Sequence, residues 1–337
     1  MNIGILGAGT WGVAVARMLA ESSHAVTVWS ALPQEIHDLS KTRRHPNLPG
    51  MEIPASIRFT DDLAAACTGN ELLVFAVPSV FVRQTAEKAA PFIARGQIIA
   101  DLAKGIEPDT LLTLTEVIRD AVRRKTGRDD VRLVALSGPT HAEEVALQLP
   151  TAIVSASEDR EAASFVQRAF TSAYMRVYTS EDCKGVELCG ALKNIVALAA
   201  GISTGLGYGA NLKAVIITRG LVEITRLGLA MGCAEQTFYG LAGIGDMIVT
   251  ATSEHSRNNR AGMLIGQGYP AQEAAKRVGM VVEGIFALPA AMRLSERYQV
   301  ELPIISAVNA VVSGETTPLD AVRELMNRTQ GTEFPTR

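Results

Sequence analysis

The sequence predicts an α/β domain built on a mainly parallel sheet, followed by an all-α domain. Three observations carry this. Short apolar strand-like runs alternate with helical runs through the first half of the chain, which implies crossover units. A glycine-rich turn joins the first strand to the first helix. Beyond Asp182 almost every segment has helical periodicity, broken by glycine clusters and prolines. At 337 residues the chain exceeds one compact domain, so two are expected, dividing at about 180–188 into 1–184 and 185–337.

The strands expected in order are Asn2–Leu6, Ala25–Trp29, Glu71–Val77, Gln97–Leu102 and Arg132–Leu136. Thr151–Ala156 and Arg176–Thr179 are expected to add strands at the far edge. Helices are expected over Thr10–Glu21, Val80–Ile93 and Thr110–Lys125. A long helix from near Asp182 could join the domains, and Lys213–Met231 and Glu283–Tyr298 are clear helices of the second.

Composition excludes several classes. Hydrophobic residues at 47% and charged residues at 20% make a globular chain. A net charge of −3 offers no bulk basic field for nucleic acid or an anionic membrane. Met1–Ala20 is apolar but lacks the basic start of a signal peptide, and four glycines break it. No uncharged run reaches the roughly 18 residues of a membrane span. The four cysteines form no C-x-x-C pair and no Cys/His cluster with zinc spacing, so no metal is expected and a reduced, cytoplasmic protein is.

Gly7-Ala-Gly9-Thr10-Trp11-Gly12 matches G-x-G-x-x-G between a strand and a helix. The first glycine permits the turn, the second lets a pyrophosphate approach, and the third lets helix and strand pack closely. Dinucleotide binding is therefore expected. The acidic residue usual about 20 positions on is missing from Val28-Trp29-Ser30-Ala31. Lys41, Arg43 and Arg44 could reach a ribose 2′-phosphate or form a solvated helix end, so the cofactor is left as NADPH or NADH.

Several charges lack ordinary partners. Lys193 has only Cys189, Gly190, Val196 and Ala197 at helical spacing. A lysine on a small apolar face is desolvated, which lowers its pKa and suits a proton donor; the alternative is a snorkelling lysine. Lys104 follows an apolar strand, at the sheet edge where open α/β sheets bind ligands. Asp246 is the only charge in Leu241-Ala-Gly-Ile-Gly-Asp-Met-Ile-Val-Thr and serves either as a helix N-cap or as a buried carboxylate paired with a lysine across a cleft. Ser256-Arg257-Asn258-Asn259-Arg260 opens a helix as an anion site or a polar capping loop. Ser137-Gly138-Pro139-Thr140-His141 is another strand-to-helix turn, in which His141 is incidental.

The glycine loop, Lys104-Gly-Ile-Glu, Ser137-Gly-Pro-Thr, Gly190-Ala-Leu-Lys-Asn, Gly243-Ile-Gly-Asp-Met, Ser256-Arg-Asn and Val281-Val-Glu-Gly stand in one order. That ordered set resembles the bacterial NAD(P)-dependent glycerol-3-phosphate dehydrogenase family from about residue 3 to 315. The resemblance implies a Rossmann domain, a helical C-terminal domain and a cleft between them. It implies reversible reduction of dihydroxyacetone phosphate, a phosphorylated ketone, to sn-glycerol 3-phosphate for phospholipid synthesis. Lys193 takes the position of the catalytic lysine and would donate the proton to the substrate oxygen. Lys104, Gly138, Thr140, Asp246, Ser256, Arg257 and Asn258 take those of substrate contacts. The cofactor would meet Gly7, Gly9, Thr10, Trp11, Gly12, Lys104, Ala142, Arg257, Val281 and Glu283. A homodimer is also implied. One departure is Ala31, where the family often carries Arg or His at the adenosine end. The competing readings are a two-domain hydroxy-acid dehydrogenase, whose substrate anion would be a carboxylate, and a dinucleotide sensor without turnover.

Overall fold

The computed structural model describes residues 1–329 and 332–333. The sheet domain runs β1 (Asn2–Leu6), α1 (Thr10–Glu21), β2 (Ala25–Trp29), α2 (Pro33–Thr42), β3 (Arg58–Thr60), α3 (Leu63–Cys67) and β4 (Leu72–Phe75). It continues through α4 (Val82–Ala89), β5 (Ile98–Asp101), α5 (Leu114–Thr126), β6 (Arg132–Ser137), α6 (Ala142–Ala146), β7 (Thr151–Ala156), α7 (Arg160–Phe170) and β8 (Met175–Ser180). Helices follow: α8 (Cys183–Gly205), α9 (Ala210–Ala230), α10 (Glu235–Phe238), α11 (Asp246–Thr252), α12 (Arg257–Gly266), α13 (Ala271–Val278), α14 (Glu283–Tyr298), α15 (Pro303–Ser313) and α16 (Pro318–Met326).

The eight strands lie in the order β3-β2-β1-β4-β5-β6-β7-β8. Every pair is parallel except β6 with β7. The β4 and β5 strands read Leu-Leu-Val-Phe and Ile-Ile-Ala-Asp and are buried throughout, because helices cover both faces of a parallel sheet. The strand order reverses at β1, so the chain leaves β1 and β4 on opposite sides of a crevice at their C-terminal ends.

Some elements differ from the sequence reading. The run expected as one helix from Val80 to Ile93 is α4 flanked by 3₁₀ turns at Ser79–Phe81 and Ala90–Phe92. The α5 helix starts at Leu114 rather than Thr110, because Thr113 and Glu116 form a reciprocal capping box. The elements α2, β3, α3, α6 and α7 were not anticipated. The β3 strand has only three residues, and α3 and α6 have five each, too few for a periodic signal.

The α8 helix is the axis of the helical domain, with its residues from Gly185 to Ser203 buried. It is long and apolar enough to cross a membrane, yet its apolar stretch is buried inside the protein. Asp182 caps it, accepting a hydrogen bond from the Gly185 amide. The α12 helix crosses it at glycines: a Cβ on Gly201 would strike the Asn259 carbonyl, and one on Gly262 the Leu198 carbonyl. That close approach brings the start of α12 alongside Lys193.

Candidate active site

The chemistry gathers where α8 passes over the ends of β5 and β6. Lys193 lies in the middle of α8 and is only 4% exposed. Its ammonium donates to Asp246 Oδ1 and to Thr250 Oγ1, the latter at 2.6 Å. Asp246 is 1% exposed, and its Oδ2 accepts from Lys104 Nζ at 2.7 Å. Lys104 also donates to the Gly138 carbonyl at 3.1 Å. One carboxylate thus bridges two lysines, one from the sheet edge and one from α8.

Local sequence explains each placement. A Cβ on Gly190, one turn before Lys193, would lie 3.1 Å from Ser137 Oγ and 3.5 Å from the Lys104 side chain, so glycine lets α8 ride close over the strand ends. Before Asp246 the chain makes a kinked π-turn at Leu241–Gly245, where a Cβ on Gly243 would meet the Phe238 carbonyl. Asp246 is the first residue of α11, but its side chain caps no helix amide and points to the lysines instead, which settles the alternative left open by the sequence.

Burial pulls the Lys193 ammonium below the ordinary lysine value; Asp246 opposes this and Lys104 adds to it. Burial pushes the Asp246 carboxyl up, but the two lysines outweigh it and hold the group below its usual range. The cluster is therefore an ionised carboxylate feeding two cations, one of which gives up its proton unusually easily. His141 is lowered by burial, reaches the Val249 carbonyl at 3.4 Å and lies edge-on to His255.

The other expected residues fall in two neighbouring groups. Thr140 Oγ1 turns back to donate to the Gly138 carbonyl. Ser256 caps α12 by accepting from the Asn259 amide. Asn258 donates to Asn194 Oδ1 at 2.9 Å and accepts from the Gly284 amide at 2.8 Å, latching α12 to α8 and α14 beside Lys193. Both thus have structural tasks. Arg257 is half-buried, with no ion-pair partner among the described residues. Glu283, at the start of α14, accepts from the backbone amide and hydroxyl of Ser79 beyond β4, so it ties the helical domain to the crevice. Burial raises its carboxyl, while Ser79 and Arg257 pull it back.

The crevice fits a dinucleotide. Gly7 has φ +126°, where glycine alone is unstrained, and a Cβ there would strike Ala76 beyond β4. A Cβ on Gly12 would strike the Gly7 carbonyl, whereas one on Gly9 would meet nothing within 4 Å. That open face leads to the start of α1, which no side chain caps. Thr10 and Trp11 are half-buried in its first turn, and Ala142 packs in the apolar cluster that holds Ala8. Asn47 reaches Thr10 Oγ1 at 3.3 Å and also Met280, next to the half-buried Val281, so the helical domain borders the glycine loop too.

Thr250, Asn194 and Ser79 were not singled out from the sequence. Thr250 had a usable signal, since it lies four residues after Asp246 on one helix. Ser79 had none, because its partner Glu283 is distant in the chain. Arg43 is corrected: its guanidinium reaches the Ile57 carbonyl at 2.7 Å and stacks on Phe59, so it braces the loop before β3.

Fold and site together define a class, the two-domain nicotinamide-dependent dehydrogenases. Comparison narrows it. The family described as the NAD-dependent glycerol-3-phosphate dehydrogenase N-terminus matches residues 2–163, and its C-terminal counterpart matches residues 182–323. The chain belongs to the NAD-dependent glycerol-3-phosphate dehydrogenase family. A Lactobacillus delbrueckii subsp. bulgaricus protein named glycerol-3-phosphate dehydrogenase (NAD(P)+) 2 is 61% identical, over 99% of each chain. The Bacillus subtilis enzyme named glycerol-3-phosphate dehydrogenase (NAD(P)+) is 43% identical, over 97% of this chain and 94% of its own. The crystal structure of glycerol-3-phosphate dehydrogenase from Coxiella burnetii superposes with a TM-score of 0.92 at 34% identity, covering 97% of this chain and 99% of that one.

Proposed function

We propose that the chain reduces dihydroxyacetone phosphate to sn-glycerol 3-phosphate, and the reverse, with Lys193 as proton donor and acceptor. The observation that carries this is the buried Lys193–Asp246–Lys104 cluster at the C-terminal edge of the sheet, within a chain of this family. A bound nicotinamide supplies the hydride for C2 of the ketone. Lys193 stabilises the negative charge growing on the carbonyl oxygen and passes it a proton, which its depressed pKa eases. Lys104 adds positive charge from the solvent side of the cluster. Asp246 holds both ammonium groups on line. Arg257, with no ion-pair partner among the described residues, would take the substrate phosphate with the start of α12, aided by Gly138 and Thr140. Ser256 and Asn258 hold that turn in place as well as facing the ligand. Binding energy from the phosphate then fixes the carbonyl.

Residues 1–184 would serve as the dinucleotide unit and 185–337 as the substrate unit. Four unbridged cysteines support a reducing, cytoplasmic setting, and the product would feed phospholipid synthesis. A homodimer follows from the family, and sedimentation of the pure protein tests it. The activity is tested by following loss of absorbance at 340 nm with dihydroxyacetone phosphate and either NADH or NADPH. Turnover is expected with wild type, and Lys193→Ala should lose about 10²–10⁴-fold in turnover while still binding cofactor. Near-normal turnover by that variant would exclude the lysine mechanism. No turnover by folded, cofactor-binding wild type would move the substrate to a carboxylate.

A further inference from the structure

The end of β2 lacks an acidic residue in the sequence, yet the fold delivers one. After Trp29 the chain turns through Ser30-Ala31-Leu32 into α2. The first turn of α2 swings Glu35 back, so that Ser30 Oγ donates to Glu35 Oε2 at 2.5 Å. Ser30 is 5% exposed and is held in turn by accepting from the Leu32 amide. This pair stands beside the glycine loop, because the Gly7 amide donates to the Trp29 carbonyl at 2.8 Å. His45 is buried near the same carboxylate, and Asn47 joins this recess to Thr10 on α1.

Among the described residues no cation forms an ion pair with Glu35, which bonds to Ser30 instead. Ala31 carries no charge and Leu32 is 62% exposed. Arg43 is spent on the Ile57 carbonyl and the Phe59 ring. Burial lowers His45, which keeps it neutral, and its Nδ1 accepts from the Asn47 amide. Lys41 and Arg44 lie on the exposed end of α2 and beyond it. Asp38, one turn after Glu35, adds a further negative charge and is bound by Gln34.

We propose that Glu35, positioned by Ser30, receives the adenosine ribose hydroxyls of the dinucleotide and makes the protein select NADH over NADPH. A carboxylate accepts hydrogen bonds from the 2′- and 3′-hydroxyls; a 2′-phosphate in the same place meets it as a like charge. This rests on the dinucleotide reading of the glycine loop but not on the identity of the ketone.

The test is direct binding without substrate. Trp11 and Trp29 are the only tryptophans, and Trp11 sits in the first turn of α1 beside the glycine loop, so fluorescence reports titration with NADH or NADPH. Wild type is expected to bind NADH at least about tenfold more tightly than NADPH. Glu35→Gln, which removes the charge but keeps an acceptor for Ser30, should narrow that ratio by about tenfold, mainly through tighter NADPH binding. Glu35→Ala should narrow it too while weakening NADH. Equal affinities in wild type, or an unchanged ratio in both variants, would overturn the assignment of Glu35 and leave the glycine-loop reading intact. Failure of folded wild type to bind either dinucleotide would overturn both.

Discussion

Lys193 shows how far one residue can be read from its neighbours. Its helical neighbours in the sequence include nothing that pairs with it, and the fold supplies Asp246 and Thr250 from a separate helix. Asp246→Asn removes the anion between two cations. Breaking a buried pair by removing one partner costs about 3–5 kcal/mol, and chemical denaturation measures it. The same variant should lower the Lys193 pKa further, because Asp246 is what opposes burial there. Ketone reduction needs the protonated lysine, so its rate falls as pH rises through that pKa. In wild type this fall should begin below the ordinary lysine value of 10.5, and in Asp246→Asn it should move to still lower pH. A pH–rate profile that does not move would count against Lys193 as the donor.

At the scale of elements, α8 and α12 touch backbone to backbone, and glycine is what permits it. Gly201→Ala should gain about 1 kcal/mol from helix propensity alone. Its new methyl group would strike the Asn259 carbonyl, and backbone cannot swing aside as a flexible side chain does. Overpacking costs about 1–3 kcal/mol, so a net loss of stability in denaturant is expected, together with weaker phosphate binding at the displaced start of α12. Glu223 joins α9 to α15 by accepting from the Ile304 and Ile305 amides. Burial, opposed by those hydrogen bonds, raises its pKa from 4.5 to about 7. A raised carboxylate stabilises the fold while it stays protonated. That contribution is complete below about pH 4.5 and lost as pH rises to about 7, a change of roughly 3 kcal/mol. Denaturation of wild type against Glu223→Gln at pH 5 and pH 8 should show the difference shifting in favour of the variant at pH 8. The longer elements were legible because period and length agree: Glu283–Tyr298 appears with the bounds read from the sequence. The α2 helix was not, because Pro33–Thr42 buries only Ile36 and Leu39.

Across the whole molecule, the two halves are sewn together on both sides of the cleft. Glu283 reaches Ser79, Asp246 reaches Lys104, and Glu187 of α8 accepts from the Thr115 amide and hydroxyl in α5. Glu283→Ala cuts one seam beside the dinucleotide crevice. It should lower the melting temperature and shrink the rise caused by saturating cofactor, which for an intact site is worth about 2.7 kcal/mol at a hundredfold excess over Kd. A thermal melt with and without NADH measures both effects. By itself the sequence determined the strand–helix alternation of the sheet domain, the glycine loop and which charges lacked local partners, because these depend on spacing along one chain and on the cost of burying a charge. Only the tertiary structure decided that one aspartate serves two lysines, that Thr250 completes their shell and that Glu35 returns to the end of β2. Lys104, Lys193 and Asp246 are far apart in sequence, which says nothing of their separation in space, and Glu35 returns across a turn whose course spacing alone does not prescribe; burial makes the joining matter by removing the water that would otherwise screen it.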